Sequence, residues 1–187
     1  MDTVTIMRGW ELPFFPMRPH EGRRLTRRNI PRILREQAEH VYIYQPKLNG
    51  DRALLGVVGR RVYVANRYGR WYGHAVGNAT AFLKLNDGTL FDGEVFRGQF
   101  FPFECLALEG RSFKPNTMEE REILAEQMCK LVGVRWMFPK PTRAWLRKLD
   151  EHMPVYEGLV RKKANAPYTM LSSPSQSSLD WLKHKWC

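Results

Sequence analysis

The sequence predicts an α+β fold built from antiparallel β-sheets with flanking helices. Short runs of alternating apolar residues recur along the chain, separated by turn residues, which is typical of hairpin-linked strands. Three stretches carry helix start signals instead. The 187 residues contain neither repeats nor a long linker. We therefore expect one domain spanning residues 1–187, with residues 1–40 as a basic lead-in and helix.

The N-terminal part combines an irregular segment, one helix and one strand. Residues 1–28 contain several prolines and little periodicity, so we expect an extended or irregular lead-in. A helix is predicted from Asn29 as its cap, with Pro31 in the first turn, to about His40. The following apolar run predicts a strand over Val41–Gln45.

The middle of the chain alternates between strands and tight turns. Ala53–Val58 and Val62–Ala65 are separated by a glycine turn and predict a β-hairpin. Ala75–Leu85 is assigned a short helix. An Asn-Asp-Gly turn then opens a strand at Thr89–Phe96, and an Arg-Gly turn leads into another at Gln99–Leu108.

The C-terminal part contains two capped helices and three predicted strands. A capping box opens a helix after Thr117, and Gly133 closes it. Thr142 caps a second, short helix. The strands are expected at Val134–Phe138, Val155–Lys162 and Leu179–Trp186, with a serine-rich loop at Ser172–Ser178 before the last.

The charge of the chain points to its class of partner. The formal net charge is +11. Such a balance favours a polyanion, above all nucleic acid, and the alternative is a basic surface without a target. Arginines crowd an N-terminal stretch (Arg18, Arg23, Arg24, Arg27, Arg28, Arg32, Arg35) and a middle one (Arg60, Arg61, Arg67, Arg70).

Composition also argues against several other classes. The three cysteines and five histidines are scattered without metal-ligand spacing, which favours reduced thiols in a cytosolic protein. No apolar stretch approaches the ~18 residues that a membrane span needs, and the first residues lack a signal-peptide layout. We expect a cytoplasmic protein associated with the nucleoid or with viral DNA, without a membrane partner.

The segment Gln45–Arg52 carries the first chemical signal. It places Lys47, Gly50 and Arg52 close together in a connection between two predicted strands. A lysine amine can attack phosphorus, glycine permits close approach of the backbone, and arginine can hold sugar or phosphate oxygens. A solvated lysine in a hairpin is the alternative.

Two further strands carry carboxylates. Alternation places Asp92 and Glu94 on one face of their strand, where they could bind a ribose hydroxyl or a metal, or simply be solvated next to a bulge. Glu157 starts an apolar strand that ends in the cations of residues 161–163. Glu157 could hold Mg²⁺ while the cations meet phosphate; a charged edge strand is the alternative.

The last strand carries two lysines on one face. Alternation sends Lys183 and Lys185 to one side, and Leu182, His184 and Trp186 to the other. Two inward lysines are costly unless they meet an anion, which favours a phosphate. His184 is interpreted as a packing or surface residue.

Together these stretches resemble, in order and spacing, the covalent nucleotidyltransferase superfamily, which includes ATP-dependent DNA ligases, RNA ligases and mRNA capping enzymes. Lys47–Arg52 is similar to the family's K-x-D-G-x-R, with asparagine at position 49. The other matches are Phe91–Glu94 to D-G-E, Phe101–Glu104 to the aromatic F-D strand with glutamate at 104, Glu157–Lys162 to E-G-[LIV]-[VI]-x-K, and Lys183–Lys185 to K-x-K. The resemblance implies the nucleotidyltransferase (ATP-grasp-like) fold, with no OB-fold domain within this sequence.

The resemblance also implies roles for individual residues. Lys47 would attack the α-phosphate of ATP and become a lysyl-AMP, and Arg52 would hold the nucleotide or a 5′-phosphate. The other implied contacts are Gln45 to the purine edge, Glu94 to the ribose, Phe103 by stacking on adenine, Glu157 to a divalent metal, Lys183 and Lys185 to the α-phosphate, and Arg67 to the nick phosphate. ATP and Mg²⁺ are the implied cofactors. A lysine amine is mostly protonated at pH 7, and nearby cations would favour its reactive neutral form.

The function implied first is an ATP-dependent polynucleotide ligase that seals 5′-phosphate/3′-hydroxyl nicks in DNA through lysyl-AMP. RNA ligase, a capping-type guanylyltransferase and a catalytically reduced nucleic-acid-binding module remain alternatives. Nicked duplex nucleic acid would be the partner of a monomeric chain. Relatives commonly continue into an OB-fold domain, so a minimal domain and a separate clamp or OB-fold partner are both open. Part of the clamp could come from Arg23, Arg24, Arg27 and Arg28, although a solvated basic helix explains them equally.

Overall fold

A computed structural model describes residues 16–68, 70, 72, 75–173 and 175–186. The strands are β1 Pro19–Glu21, β2 Tyr42–Leu48, β3 Asp51–Val58, β4 Arg61–Asn66, β5 Thr89–Phe96, β6 Gln99–Leu108, β7 Arg111–Ser112, β8 Tyr156–Lys163 and β9 Ser178–Lys185. They form a four-stranded sheet in the order β1-β9-β8-β2 and a five-stranded sheet in the order β4-β3-β5-β6-β7. β1 joins β9 in parallel, whereas the other described pairings are antiparallel.

Two of the described helices begin at side-chain caps. The helices are α1 Ile30–Ala38, α2 Met118–Val132, α3 Arg143–Arg147 and α4 Leu149–His152, with 3-10 turns at Arg27–Asn29 and Ala79–Lys84. Thr117 and Glu120 form the predicted capping box, and α2 ends at Gly133, which has a left-handed conformation. The Thr142 hydroxyl accepts the backbone N–H of Trp145 at the start of α3.

Much of the predicted architecture is confirmed. The fold is α+β with antiparallel sheets and flanking helices, as expected. The β3–β4 hairpin forms, and β5 and β6 have the predicted bounds. The single-domain organisation over residues 1–187 stays a prediction.

The position of Lys47 differs from the prediction. Lys47 lies within β2, opposite Gly158 of β8, and not in a connection. The chain turns at Asn49-Gly50 and crosses there from the four-stranded sheet to the five-stranded sheet. Pro46 obscured this strand, because proline cannot donate a ladder hydrogen bond; it is tolerated in β2, which is an edge strand.

Four other predictions need correction. Val134–Phe138 is irregular, because its apolar side chains are buried without the backbone entering a sheet. Ala75–Leu85 contains only the 3-10 turn at Ala79–Lys84. Asn29 does not cap α1; its side-chain oxygen accepts the N–H of Thr26 and closes the preceding 3-10 turn. The lead-in contains β1, and its residues 1–15 lie outside the described residues.

The core lies mainly between the sheets and beneath α2. Phe82, from the second 3-10 turn, packs at 5.6 Å from Phe91 and 5.8 Å from Phe100, measured between ring centroids. A smaller cluster packs α1 against the other face of the four-stranded sheet, through residues such as Ile33, Tyr44 and Leu159. One face of this sheet therefore meets α1, and the other faces the five-stranded sheet.

A buried charge network connects the two sheets to α2. Glu104 on β6 accepts the Arg121 Nε–H on α2 at 2.8 Å and a proton of Lys162 Nζ on β8 at 2.9 Å. Arg121 also donates to the backbone oxygens of Asn116 and Ala166. All three charged side chains are essentially inaccessible to solvent. Such a network is stable only while every charge has its partner.

We predict that Glu104→Gln lowers the free energy of unfolding by about 3 kcal/mol or more, because it removes the charged carboxylate that the buried Arg121 and Lys162 share. Urea unfolding followed by circular dichroism measures this. Glu126→Gln, at a partly exposed position on the same helix as Arg121, is the control and should change stability by less than about 0.5 kcal/mol. A loss below about 1 kcal/mol for Glu104→Gln would contradict the role given to the network.

Candidate active site

A cavity of about 600 Å³ lies between the two sheets. Strands of both sheets contribute to its wall, including β1 through Pro19, as do Pro16 and Arg18 just before β1. The predicted residues that line it are Gln45, Lys47, Arg52, Arg67, Glu94, Phe103, Glu157, Lys183 and Lys185. The fold thus brings residues separated by up to 140 positions into one concave site, whereas Arg23, Arg24, Arg27 and Arg28 do not line it.

Glu157 lies between two of the lysines. Its Oε1 accepts a hydrogen bond from Lys47 Nζ, and its Oε2 accepts one from Lys185 Nζ at 2.8 Å. Burial alone would raise the pKa of Glu157, but these hydrogen bonds outweigh burial and lower it. The expected cations share the cavity with Lys47, yet its hydrogen-bond partner is a carboxylate.

Gly158 allows this approach of strands β8 and β9. A Cβ at Gly158 would lie 1.9 Å from the backbone oxygen of His184. Only glycine therefore lets β8 pair closely enough with β9 to bring Glu157 beside Lys185. This is a packing reason for the glycine that follows the glutamate in the sequence motif.

Lys183 has a partner that the sequence did not indicate. β1 runs parallel to β9 and pairs Glu21 with Lys183, whose Nζ lies 2.6 Å from Glu21 Oε1. The hydrogen bond from Lys183 lowers the pKa of Glu21. As predicted, Lys183 and Lys185 lie on the same face of β9, and this face lines the cavity. His184 lies buried on the other face, where its Nδ1 is hydrogen-bonded to the backbone oxygen of Arg23.

Arg52 forms part of the cavity floor. Its Nε donates to Asp92 Oδ1 at 2.7 Å, its Nη2 donates to Asp92 Oδ2, and Tyr168 OH donates to the same carboxylate at 2.6 Å. The guanidinium carbon lies 4.9 Å from the ring centre of Phe103 and 5.0 Å from that of Trp181. Asp92 therefore binds Arg52 and does not line the cavity, whereas Glu94 does. A joint role of these two carboxylates in binding a ribose or a metal stays a prediction.

Glu94 is an acid held in a poorly solvated position. Burial raises its pKa to about 7, although Lys47 and Arg52 oppose the shift. Close to neutral pH it can therefore exist either as a carboxylate or as a hydrogen-bond donor. Both forms can contact a hydroxyl group.

The apolar end of the cavity is aromatic. The Phe103 ring lies 5.5 Å from the Phe138 ring and 6.0 Å from the Trp181 ring, both edge to face. Gln45, on β2 of the other sheet, also lines the cavity, and its Nε2 donates to Glu122 Oε1 on α2 at 2.9 Å. A flat apolar ring with polar edges would fit this end, next to the charged end formed by the lysines.

The basic residues predicted to contact nucleic acid lie outside or at the rim of the cavity. Arg67 is on the turn after β4, where its Nη2 donates to Tyr68 OH at 2.7 Å; Gly69 of this segment lies outside the described residues. Arg23 and Arg24 are exposed. They belong to residues 22–25, which continue along the edge of β9, where the backbone N–H of Gly22 donates a hydrogen bond to the backbone oxygen of Lys183. Arg27 and Arg28 are exposed in the 3-10 turn before α1.

The cations that close β8 do not act together as predicted. Arg161 faces α1 and lies 3.7 Å from Glu36, Lys162 belongs to the buried network, and Lys163 is exposed. Strand alternation explains the separation, because neighbouring residues point to opposite faces.

Sequence reasoning missed several residues that line the cavity or support it. They are Arg18, Phe138, Trp181 and, behind Gln45, Glu122. Trp181 could have been found, because it alternates with Lys183 and Lys185. The pairing of Gln45 with Glu122, which spans 77 positions, leaves no local signal.

The oxygen chemistry of the cavity fits a magnesium nucleotide. Asp51, Glu94 and Glu157 are the carboxylates among the residues that line it. Among the described residues, no group of three or more histidine, cysteine, aspartate or glutamate side chains could hold a metal alone. Mg²⁺ commonly binds one or two carboxylates together with substrate phosphates, which is the arrangement that these residues allow. Within the described part of the chain, no helix is long and apolar enough to cross a membrane.

Comparison with solved structures gives the fold. The chain is similar to mycobacterial DNA ligase D complexed with ATP (TM-score 0.64, 17% identity, 92% of this chain and 60% of that chain) and to the ligase domain of M. tuberculosis LigD (0.66, 18%, 92% and 59%). It is also similar to a Lig E DNA ligase (0.52, 14%, 78% and 62%). No protein-family model and no curated protein sequence matches the chain. The chain thus has the fold of these ligase domains and spans about three-fifths of the length of the first two structures.

We predict that Glu94→Gln makes the protein more stable at neutral and alkaline pH. The raised pKa means that Glu94 favours folding while protonated, below its ordinary pKa of 4.5, and that this contribution is lost as the pH rises to about 7. The free energy of unfolding of the variant, relative to the parent, should therefore increase by about 2–3 kcal/mol between about pH 5 and about pH 8.

Urea unfolding at both pH values measures the difference, and other titrating groups cancel between the two proteins. Glu109→Gln, at an exposed turn, should show no such increase. A difference for Glu94→Gln that does not vary with pH would contradict the burial of this acid.

Proposed function

We propose that this chain is the adenylating part of an ATP-dependent polynucleotide ligase that seals 5′-phosphate/3′-hydroxyl nicks in duplex DNA through a lysyl-AMP at Lys47. The observation that carries the proposal is the single cavity in which Lys47, Glu157, Lys183 and Lys185 meet an aromatic end, within a fold shared with DNA ligase domains.

The first step is nucleotidyl transfer to the lysine. Lys47 Nζ attacks the α-phosphorus of ATP; the N–P bond forms, the P–O bond to pyrophosphate breaks, and pyrophosphate leaves with the bonding electrons. The amine must lose a proton to solvent first, and the positive charges of Lys183, Lys185 and a bound Mg²⁺ would favour that loss. Lys183 and Lys185 lie on the same wall, where their charges stabilise the negative charge on the phosphoryl oxygens.

The remaining groups bind and orient the nucleotide. The adenine lies at the aromatic end, stacked on Phe103, with Gln45 at its edge, and Glu94 contacts the ribose. Glu157 would hold Mg²⁺ together with phosphate oxygens. The metal, when bound, neutralises charge on the triphosphate.

The second and third steps use the nucleic acid. AMP passes from Lys47 to the 5′-phosphate of the nick, and attack by the 3′-hydroxyl forms the phosphodiester and releases AMP. Arg67 at the cavity rim contacts the nick phosphate, and the exposed arginines at 23, 24, 27 and 28 grip the flanking backbone. A separate clamp or OB-fold partner would complete the enclosure of the duplex.

We predict that Lys47→Ala abolishes covalent labelling by ATP, since no other amine is proposed to attack the α-phosphorus. Incubation with α-labelled ATP or GTP and Mg²⁺, followed by denaturing electrophoresis and mass spectrometry, measures the adduct. Lys163→Ala, an exposed lysine outside the cavity, is the matched control and should label normally. Binding of nicked DNA should be nearly unchanged in both variants.

The same assay separates the alternatives. A GTP label would indicate a capping-type guanylyltransferase, and sealing only of RNA-containing nicks would indicate an RNA ligase. Label on a residue other than Lys47 would refute the proposed step. Nicks with a pre-adenylated 5′ end test the final step independently of self-adenylation.

A further prediction concerns the exposed N-terminal arginines. Each phosphate contact contributes about 0.9 to the slope of log affinity against log salt. Replacing Arg23, Arg24, Arg27 and Arg28 by glutamine should therefore lower that slope by about 3–4. Fluorescence anisotropy with nicked DNA at several salt concentrations measures it.

The control for this prediction uses arginines at the far end of the five-stranded sheet. Arg60, Arg61 and Arg111 are exposed in or next to the turns opposite the Arg52 end of β3. Replacing them should leave the slope within about one unit of the parent. If both groups of arginine replacements lowered the salt slope equally, the N-terminal arginines would have no special role in binding DNA.

A further inference from the structure

Gln45 has an unusual partner behind the cavity wall. The Gln45 side chain is nearly buried and lines the cavity, while Glu122 on α2 does not line it. Gln45 Nε2 donates to Glu122 Oε1 at 2.9 Å. Glu122 therefore contacts a ligand in the cavity only indirectly, and Gln45 is the lining residue to which it is hydrogen-bonded.

The chemistry of this hydrogen bond orients the Gln45 amide. An ionised carboxylate has only acceptors, whereas an amide has one donor end and one acceptor end. The amide nitrogen must therefore face Glu122, and Oε1 is the polar atom that Gln45 has left for a ligand. Among the described residues, none donates a hydrogen bond to Gln45 Oε1.

An acceptor at this position distinguishes the two classes of purine. Adenine carries an amino group at position 6, which donates, whereas guanine and hypoxanthine carry an oxygen there, which only accepts. An oxygen of Gln45 facing a 6-oxo group would leave two acceptors opposed in a poorly solvated place. A freely turning amide would accept either base.

We propose that Glu122 is a positioning residue that sets base specificity: by holding the Gln45 amide in one orientation, it makes the cavity select 6-aminopurine nucleotides over 6-oxopurine nucleotides. The inference rests on the proposed nucleotide site and adds to it a residue that does not touch the nucleotide.

The charges around Glu122 make the orientation sensitive to pH. The groups that face it are Lys162 on β8, Glu104 on β6 and Glu119 on α2, the last of which also lies 3.8 Å from His40. Burial raises the pKa of Glu122 to about 7, against the opposing effects of Lys162 and of the Gln45 hydrogen bond. Protonated Glu122 can donate to Gln45, and the amide can then turn. The preference should therefore weaken as the pH falls through about 7.

The test compares the dissociation constants of ATP and ITP, which differ in the base, by isothermal titration calorimetry on the full chain. The parent should bind ATP about tenfold more tightly or better. Glu122→Gln, whose amide can donate or accept, should bring the ratio close to one. Glu126→Gln, one turn further along α2, should keep the ratio of the parent.

A reciprocal exchange separates positioning from a merely structural role. In the double variant Gln45→Glu/Glu122→Gln, the carboxylate at position 45 can only accept, and the amide at position 122 can donate to it. The ATP preference should return. The ratio of ATP affinity to ITP affinity should also fall in the parent protein as the pH is lowered from about 8 to about 6. The same ratio in Glu122→Gln should not change over this range.

Several outcomes would overturn the inference. They are an equal loss of ATP and ITP affinity in Glu122→Gln, a double variant that stays unselective, or a parent ratio independent of pH. The labelling assay tests the proposed function separately: selective binding that depends on Glu122 without a Lys47 adduct refutes the ligase chemistry and supports the inference. No binding of either nucleotide by the parent overturns both.

Discussion

The buried bridge from Glu104 to Arg121 and Lys162 is the interaction on which the cavity depends. It joins β6 of one sheet, β8 of the other and α2, and its charges have no access to water. Because unpaired buried charges are costly, the three elements have one favourable relative placement. That placement sets the separation of the two cavity walls. Glu94 and Phe103 lie on one wall, and Glu157 lies on the other. Lys162 also lies 4.3 Å from the ring centre of Phe103 and 4.0 Å from that of Trp181, so the bridge supports the aromatic end directly.

A second constraint is the carboxylate that lies between two lysines. Glu157 accepts hydrogen bonds from both Lys47 and Lys185, so two cations share one negative charge and stay close together on one side of the cavity. These hydrogen bonds outweigh burial and lower the pKa of Glu157. The close pairing of β8 with β9 at Gly158 makes this arrangement possible, because a Cβ there would meet the backbone oxygen of His184.

Most of the residues that line the cavity could be identified from the sequence, but fewer of the residues that hold them in place. Lys47, Glu157, Lys183 and Lys185 could be predicted because strand alternation and motif order are local. The hairpin of β3 and β4 and the bounds of β5 and β6 were predictable for the same reason. Glu21 beside Lys183 was not, since the parallel pairing of β1 with β9 joins segments about 160 positions apart. Val134–Phe138 was misassigned as a strand because a buried irregular segment can be as apolar as a strand. The sequence does not show that this segment has no strand to pair with.

The distribution of charge explains why this cavity favours an anion at one end only. On the floor, Asp92 pairs with Arg52, and Glu104 is shared by Lys162 and Arg121, so the cations at this end already have buried counter-charges and can face an aromatic base. On the other wall, the lysines at 47, 183 and 185 face the carboxylates of Glu21 and Glu157. Three cations against two anions leave an excess of positive charge. Glu94, with its pKa near 7, compensates it only in part at neutral pH. A ligand with a flat neutral ring and a polyanionic tail therefore satisfies both ends, whereas a polyanion alone satisfies one.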